Sequence, residues 1–139
     1  MKPAGYSGTP LAKKLDIKSG FRIRLVNAPA HYFDLFVDFP DEVEITRDKK
    51  KEKDLIHYFE KKATTLKKKL PQLRNEIVQN GMLLVSWPKK ASAVETYITE
   101  DTIRDFALTI GLVDVKVCAV DEVWSGLKLV IPVKDRKTK

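Results

Sequence analysis

The sequence predicts an α/β fold: three layers, a mostly parallel sheet of about six strands, and an antiparallel hairpin at the C-terminal end. Three observations predict it. Phe21, Ile23, Leu25 and Val26, and later Met82 to Trp87, are apolar runs dense enough for strands buried on both faces. Amphipathic helical patterns separate such runs. Near the end, two alternating runs flank a short polar turn, the pattern of a hairpin.

In chain order, Thr9 before Pro10 reads as a helix cap with proline at the first helical position, followed by the apolar face Leu11, Ala12 and Leu15 and a stop at Gly20. The first strand follows and closes at Asn27-Ala28-Pro29. His31 to Val37 is expected to form a brief helix, and Val43 to Thr46 a short strand. The charged run Arg47 to Lys53 leads to a third strand at Leu55, Ile56, Tyr58 and Phe59. That link of about seven residues is too short for a crossover helix, so either it crosses in extended form or the second strand is not parallel.

From Thr64, residues Leu66, Leu70, Leu73, Ile77 and Val78 recur at helical spacing, with Lys67, Lys68, Lys69, Arg74 and Glu76 on the other faces. Pro71 predicts a kink or break near Leu70, and Asn80-Gly81 a left-handed stop before the strand Met82 to Trp87. Thr99 caps a helix with Glu100 and Asp101 in its first turn and Ile103, Phe106, Ala107 and Ile110 on its buried face, and Gly111 ends it. Val113, Val115, Val117 and Ala119 form one arm of the hairpin. Leu127, Leu129 and Ile131 form the other, with Ser125 and Gly126 between them.

With 139 residues the chain fits one domain spanning 1–139, with 134–139 expected to be a flexible basic tail. No apolar run is long enough to span a membrane, and residues 1 to 20 lack the apolar segment of a signal peptide, so no membrane partner is expected. The single cysteine, Cys118, agrees with a reducing compartment, and the expected location is the cytoplasm. Two histidines and one cysteine at unrelated positions give no metal-ligand spacing. Neither a phosphate-binding Gly-x-x-x-x-Gly-Lys-Ser/Thr loop nor a Gly-x-Ser-x-Gly elbow is present. His57 within a strand and Cys118 in an alternating strand read as packed side chains rather than reactive ones. The net charge of +7 makes attraction to polyanions physically reasonable. Its carriers, at 47–53, 61–69 and 134–139, sit where loops, helix faces and termini are expected.

Two resemblances extend this reading. Asp54-Leu55-Ile56, the following helix and Gln79-Asn80-Gly81-Met82-Leu83-Leu84-Val85-Ser86 resemble the central stretch of the methyltransferase version of the Rossmann fold, and the terminal hairpin resembles its last two strands. That likeness implies a strand order of 2-1-3-4-6-5. Gly5-Tyr6-Ser7-Gly8-Thr9-Pro10, Val85-Ser86-Trp87-Pro88-Lys89-Lys90-Ala91-Ser92 and Val117 to Lys128 resemble a small bacterial family known as a domain of unknown function. This second likeness carries no activity. The chain departs from methyltransferases at the first turn, where Asn27-Ala28-Pro29-Ala30 replaces a glycine-rich loop, and at the end of the second strand, where Thr46-Arg47 stands in place of an acidic ribose ligand.

In open α/β sheets, ligands sit beyond the carboxyl ends of the strands. There the sequence gathers Asn27 and His31, Glu60 and Lys61, and Trp87, Lys89 and Lys90. An indole to stack on a flat group and lysines to meet a phosphate or carboxylate make Asn27, His31, Trp87, Lys89 and Lys90 the candidate ligand residues. Asp121, Trp124, Ser125 and Lys128 form a second candidate group, either an Asp121–Lys128 pair across the hairpin or an aromatic tip for a protein contact. No catalytic residue and no particular cofactor is singled out. The functional reading is a non-catalytic or degenerate Rossmann-like module that binds a small anionic ligand or a protein partner. The alternatives are a divergent S-adenosylmethionine-dependent methyltransferase, or RNA binding through the basic loop and the face bearing Lys67, Lys68 and Lys69.

Overall fold

A computed structural model describes residues 9–137; residues 5–8, which carry part of the second resemblance, lie outside them. The elements are α1 (Leu11–Lys14), β1 (Arg22–Val26), a 3-10 turn (Tyr32–Leu35), β2 (Glu44–Ile45), β3 (Lys53–Phe59), α2 (Ala63–Arg74), β4 (Ile77–Pro88), α3 (Glu100–Thr109), β5 (Val113–Ala119) and β6 (Trp124–Val130). One six-stranded sheet has the order β2-β1-β3-β4-β6-β5. β2, β1, β3 and β4 are mutually parallel, while β6 runs antiparallel to both β4 and β5.

Side-chain alternation sorts the core into two layers. Ile56, Tyr58, Leu83, Val85, Trp87, Leu127 and Leu129 face the helix pair α2 and α3. Ile23, Leu55, Met82 and Leu84 face the other way, where Leu11, Ala12, Leu15 and Ile17 cover them.

β2 is parallel to β1, so the link from β2 to β3 crosses in extended form. The residues on that flank explain why no helix is needed there. On the face where Val26 meets the helix layer, alternation places Arg24 and Arg22. Arg24 pairs with Glu76 at 2.7 Å and Arg22 with Glu44 at 3.3 Å. A flank made of ion pairs needs no apolar cover. Arg24 belongs to a cluster in which the Lys53 ammonium, fully buried, donates to Glu76 at 2.7 Å and also to the Asp48 carbonyl.

Several local expectations are corrected by tertiary contacts. The first helix begins at Leu11 with Pro10 as its cap residue, and Thr9 makes no capping bond. The segment after β1 forms a 3-10 turn over Tyr32–Leu35 only. α2 runs through Pro71 to Arg74 without a break. Pro71 forfeits one backbone donor, but Leu66, Leu70 and Leu73 are fully buried on both sides of it, each such burial contributing about 1.5–3 kcal/mol.

Asn80-Gly81 is not a helix stop, because the helix already ends at Asn75 and both residues lie inside β4. The pairing of β3 with β4 jumps there from Lys53↔Ile77 to Leu55↔Met82. A side chain at Gly81 would meet Val78 O at 3.0 Å and Lys53 O at 3.1 Å, so glycine allows this irregularity. The hairpin turn is 120–123, and Ser125 and Gly126 are β6 residues paired with Ala119 and Cys118. Near the C-terminus Val133–Asp135 forms a 3-10 turn and the Lys137 amide donates to Gln79 Oε1 at 2.9 Å, while 138–139 lie outside the described residues. α3 is as expected, with Thr99 and Thr102 exchanging the bonds of a capping box.

Candidate functional site

The chain leaves β1 for β2 on one side and returns as β3 on the other, so strand order reverses between the ends of β1 and β3. Such a point opens a crevice between two connections that run to opposite sides. At the end of β1, Asn27 adopts a left-handed backbone with φ 58°. Asparagine is one of the few residues besides glycine that tolerates this region. The sharp turn is therefore made with a side chain present, and its amide donates to the Phe59 carbonyl at 3.1 Å. That bond ties the ends of β1 and β3 across the crevice.

Asn27 divides the strand-end surface into two hollows. The first, of about 440 Å³, is lined by Asn27 and Pro29 from the β1 end, Phe59, Glu60, Lys61 and Lys62 from the β3 end, and Trp124. The Glu60 carboxylate sits just ahead of α2, accepting from Tyr58 Oη at 2.6 Å and from the Lys61 and Lys62 amides at 3.0 and 3.1 Å. Burial, and then the Glu60 contact, push the Tyr58 phenol upward, so it stays a donor. With both oxygens engaged, Glu60 orders the rim more than it offers a free acceptor.

The floor of this hollow is aromatic. Phe59 meets Trp124 edge-on at 5.0 Å and is stacked on His57 at 4.2 Å. His57 is wholly buried, with Nδ1 at 2.9 Å from Tyr32 Oη and Nε2 at 2.8 Å from Ser86 Oγ. Burial lowers its pKa to about 3, so it is a neutral, packed imidazole.

The second hollow, of about 700 Å³, lies beside the end of β2. Phe33 and Ile45, 49% and 44% exposed, give it an apolar side. Arg47 and Lys69 give it a cationic one, and neither makes an ion pair among the described residues. Thr46 stands where a ribose-binding carboxylate would be expected. Asp48 beyond it receives the Lys50 amide at 3.0 Å.

The sequence-predicted residues are not gathered into one place. Asn27 is central to both hollows. His31 is exposed nearby, its Nε2 at 3.4 Å from Asp121 Oδ2. Trp87 and Lys90 line a separate hollow of about 750 Å³ toward α3. Lys89 is half-buried, and its amide donates to Val123 O at 2.7 Å. Of the hairpin group, Asp121 holds the tip by accepting the Val123 and Trp124 amides, each at 2.8 Å, and Trp124 packs inward on Phe59. Ser125 pairs across to Trp87 in the sheet. Lys128 does not reach Asp121. It bonds Asp16 at 2.7 Å, alongside Lys116 at 3.1 Å, and so anchors the segment after α1.

The sequence does not single out Phe33, and it names Arg47 and Lys69 only within the basic loop and helix face of the RNA-binding alternative, not as neighbours of Asn27. Their signal was weak: each looks like ordinary surface until the chain brings the 3-10 turn, the end of β2 and α2 together. Lys67 and Lys68 are exposed on α2.

An adenosyl cofactor in the usual pose of this fold does not fit these residues. The Asn27 side chain spans the turn where bare backbone would be required, and the end of β2 offers Arg47 rather than a carboxylate. Among the described residues no group of three or more His, Cys, Asp or Glu is placed to hold a metal ion, and no helix is long and apolar enough to cross a membrane. Burial raises the Cys118 thiol above its ordinary value, although neighbouring lysines oppose the shift.

No protein-family model matches the chain, and no curated protein matches it. Solved structures do. A type 11 methyltransferase candidate from Sulfolobus solfataricus is similar with a TM-score of 0.60 at 14% identity, over 93% of this chain and 90% of that one. The ribosomal protein L11 methylase from Lactobacillus delbrueckii subsp. bulgaricus gives 0.56 at 13% identity, over 91% and 74%. Magnesium protoporphyrin IX methyltransferase from Synechocystis PCC 6803, with bound SAH, gives 0.56 at 9% identity, over 86% and 77%. Together with the strand order, these matches make the fold a methyltransferase-like Rossmann fold.

Proposed function

We propose that this fold serves here as a binding module for a small anionic ligand, held around Asn27 at the ends of β1, β2 and β3, rather than as a methyltransferase of the usual kind. The observation that carries this reading is the charge of the rim. Arg47 and Lys69 on one side of Asn27 and Lys61 and Lys62 on the other are free of ion pairs among the described residues, and Glu60 is already saturated by three donors. Such a rim attracts phosphate or carboxylate and repels a sulfonium. Phe33, Ile45, Phe59 and Trp124 supply apolar surface for the rest of the ligand.

A second reading, a divergent methyltransferase with altered cofactor contacts, is favoured by the fold comparisons and by the left-handed turn retained at Asn27. Calorimetric titration of the protein with ADP and with S-adenosylmethionine, side by side, separates the two. The binding-module reading expects heat with ADP, an affinity that weakens as salt rises, loss of binding in Arg47→Glu/Lys69→Glu, and no heat with S-adenosylmethionine. Saturable binding of S-adenosylmethionine with none of ADP would replace it with the second reading.

A further inference from the structure

The positive charge of the chain is concentrated on one part of the fold. Between positions 47 and 69 stand ten lysines and arginines against four acids, a surplus of six in a chain whose net charge is +7. The two basic segments of this stretch, the β2–β3 link and α2, meet in space. Arg47 of the link and Lys69 of α2 line one hollow, and the Lys53 amide at the end of the link donates to the Glu76 carbonyl just past α2 at 2.8 Å. The link therefore follows the second half of the helix. Lys49, Lys50, Lys61, Lys62, Lys67 and Lys68 are exposed and make no ion pair among the described residues, whereas Lys51 pairs with Glu44 at 3.2 Å. Of the exposed acids in the link, Asp48 is turned onto the Lys50 amide, and Glu52 works against an anion.

One small anion leaves much of this arrangement unused. The hollows of about 440 and 700 Å³ adjoin at Asn27, and each combines an aromatic ring with two cations: Trp124 with Lys61 and Lys62 in one, Phe33 with Arg47 and Lys69 in the other. Phe33 is 49% exposed and meets Tyr32 and Phe39 edge-on at 5.4 and 5.3 Å, so its ring is held in place while half of it stays open. A repeated pairing of flat apolar surface with positive charge matches a polymer whose repeat is a flat base and a phosphodiester. In a duplex the base faces are hidden in the stack, whereas an unpaired strand can splay them onto aromatic side chains. An acidic peptide brings the charge but no ring in each repeat.

We propose that the two hollows beside Asn27, with the basic segments that continue past them, bind single-stranded nucleic acid. One base lies against Phe33 and a neighbouring base against Trp124, while their phosphates meet the rim cations and flanking phosphates meet the β2–β3 link and α2. This deepens the proposed function and rests on it, because the strand is then the anionic ligand of that cleft.

Fluorescence anisotropy of the full chain with labelled oligouridylate and oligothymidylate of about twelve nucleotides, run beside the calorimetric ADP titration, tests this. The expected result is saturable binding of one or both oligonucleotides, about tenfold or more tighter than ADP and weakening steeply as salt rises. Phe33→Leu keeps apolar volume but removes the ring, and lowers affinity about tenfold with the salt dependence unchanged. Lys49→Glu/Lys50→Glu lies outside both hollows; it reduces the slope of log affinity against log salt by about one to two and leaves ADP binding in place. Lys90→Glu/Lys134→Glu makes the same change of charge at exposed positions outside the basic stretch and leaves affinity within about twofold. The proposal is overturned if this control weakens binding as much as Lys49→Glu/Lys50→Glu, if a duplex of the same length binds as tightly as the single strand, or if polyglutamate of equal charge displaces the strand. Heat with ADP but no oligonucleotide binding removes the strand and leaves the small-ligand reading, whereas loss of both removes both.

Discussion

Replacing Glu76 by glutamine tests the ion cluster that takes the place of a crossover helix. The Glu76 carboxylate is 8% exposed and holds two cations, the fully buried Lys53 ammonium and the Arg24 guanidinium, each at 2.7 Å. Burial by itself would raise its pKa, but hydrogen bonds from Lys53 and Arg24, with their charges, leave it lowered overall. Glutamine keeps the shape and one acceptor oxygen but turns an amide donor toward a second donor and removes the charge. Lys53 then remains buried without a counter-charge, meeting only neutral oxygens, the Asp48 carbonyl and the one amide oxygen that it must share with Arg24. Removing one member of a buried pair costs about 3–5 kcal/mol, and retention of one acceptor puts Glu76→Gln near the low end, about 3 kcal/mol. For a chain of this length that is a fall of about 6–12 °C in Tm. Urea unfolding at neutral pH measures it. Because the folded pKa is lowered, the contribution is present above the ordinary carboxylate range and fades as pH falls through the folded value, so wild type and variant should converge in acid. Glu76→Gln/Lys53→Met should be less destabilised than the sum of its single changes. A loss below about 1 kcal/mol for Glu76→Gln, or strict additivity in the double variant, would refute the reasoning.

Two other outcomes follow from the structure. His57 is neutral in the fold with a pKa near 3, so below about pH 6.5 the unfolded chain takes up a proton that the folded chain refuses; this group should lower stability toward acid by about 1.4 kcal/mol per pH unit between those values, and urea melts in which the wild-type profile is no steeper than that of His57→Gln would contradict this. Pro71→Ala restores a backbone donor inside α2 and should raise stability by about 1–2 kcal/mol, read as a higher urea midpoint with an unchanged slope; no gain would mean that the proline ring packs well enough to offset the missing bond.

The elements that could be read from sequence were those whose local pattern and tertiary role agree. Thr99 with acidic residues after it marks α3, because Ile103 and Ala107 on the patterned face are the residues that pack; alternation over 113–119 marks β5, although Val115 and Val117 are exposed on this edge strand and Cys118 is the residue packed on the core. The misread positions had two local meanings. Pro71 breaks helices in isolation, but the buried leucines around it decide otherwise. Asn80-Gly81 is a good helix stop and equally a good strand irregularity, and only the approach of Lys53 O to Gly81 selects the second. Asp121 and Lys128 looked like a pair because both were placed on one hairpin. The register pairs Lys128 with Lys116, and both lysines turn to Asp16, distant in the sequence. Long-range partners of this kind leave no local trace, and the same holds for the Arg24, Lys53 and Glu76 cluster.

The scatter of the predicted site residues has a single geometric origin. The strand-end rule names an edge of the sheet but not a face, and in a strand the face alternates with each residue. Trp87 shares the parity of Leu83 and Val85 and so belongs to the layer beneath α2 and α3. Trp124 shares the parity of Val130 and packs in the opposite layer, against Phe59. In the ladder Trp124 stands beside Pro88 and Trp87 beside Ser125, so the two rings are neighbours along the backbone yet project to opposite sides of the sheet. A small molecule seated on Asn27 and Trp124 therefore cannot also stack on Trp87. The single aromatic and cationic rim expected from sequence resolves into separate hollows, one with Trp124 and one with Trp87 in its lining, whose rings lie on opposite faces of the sheet.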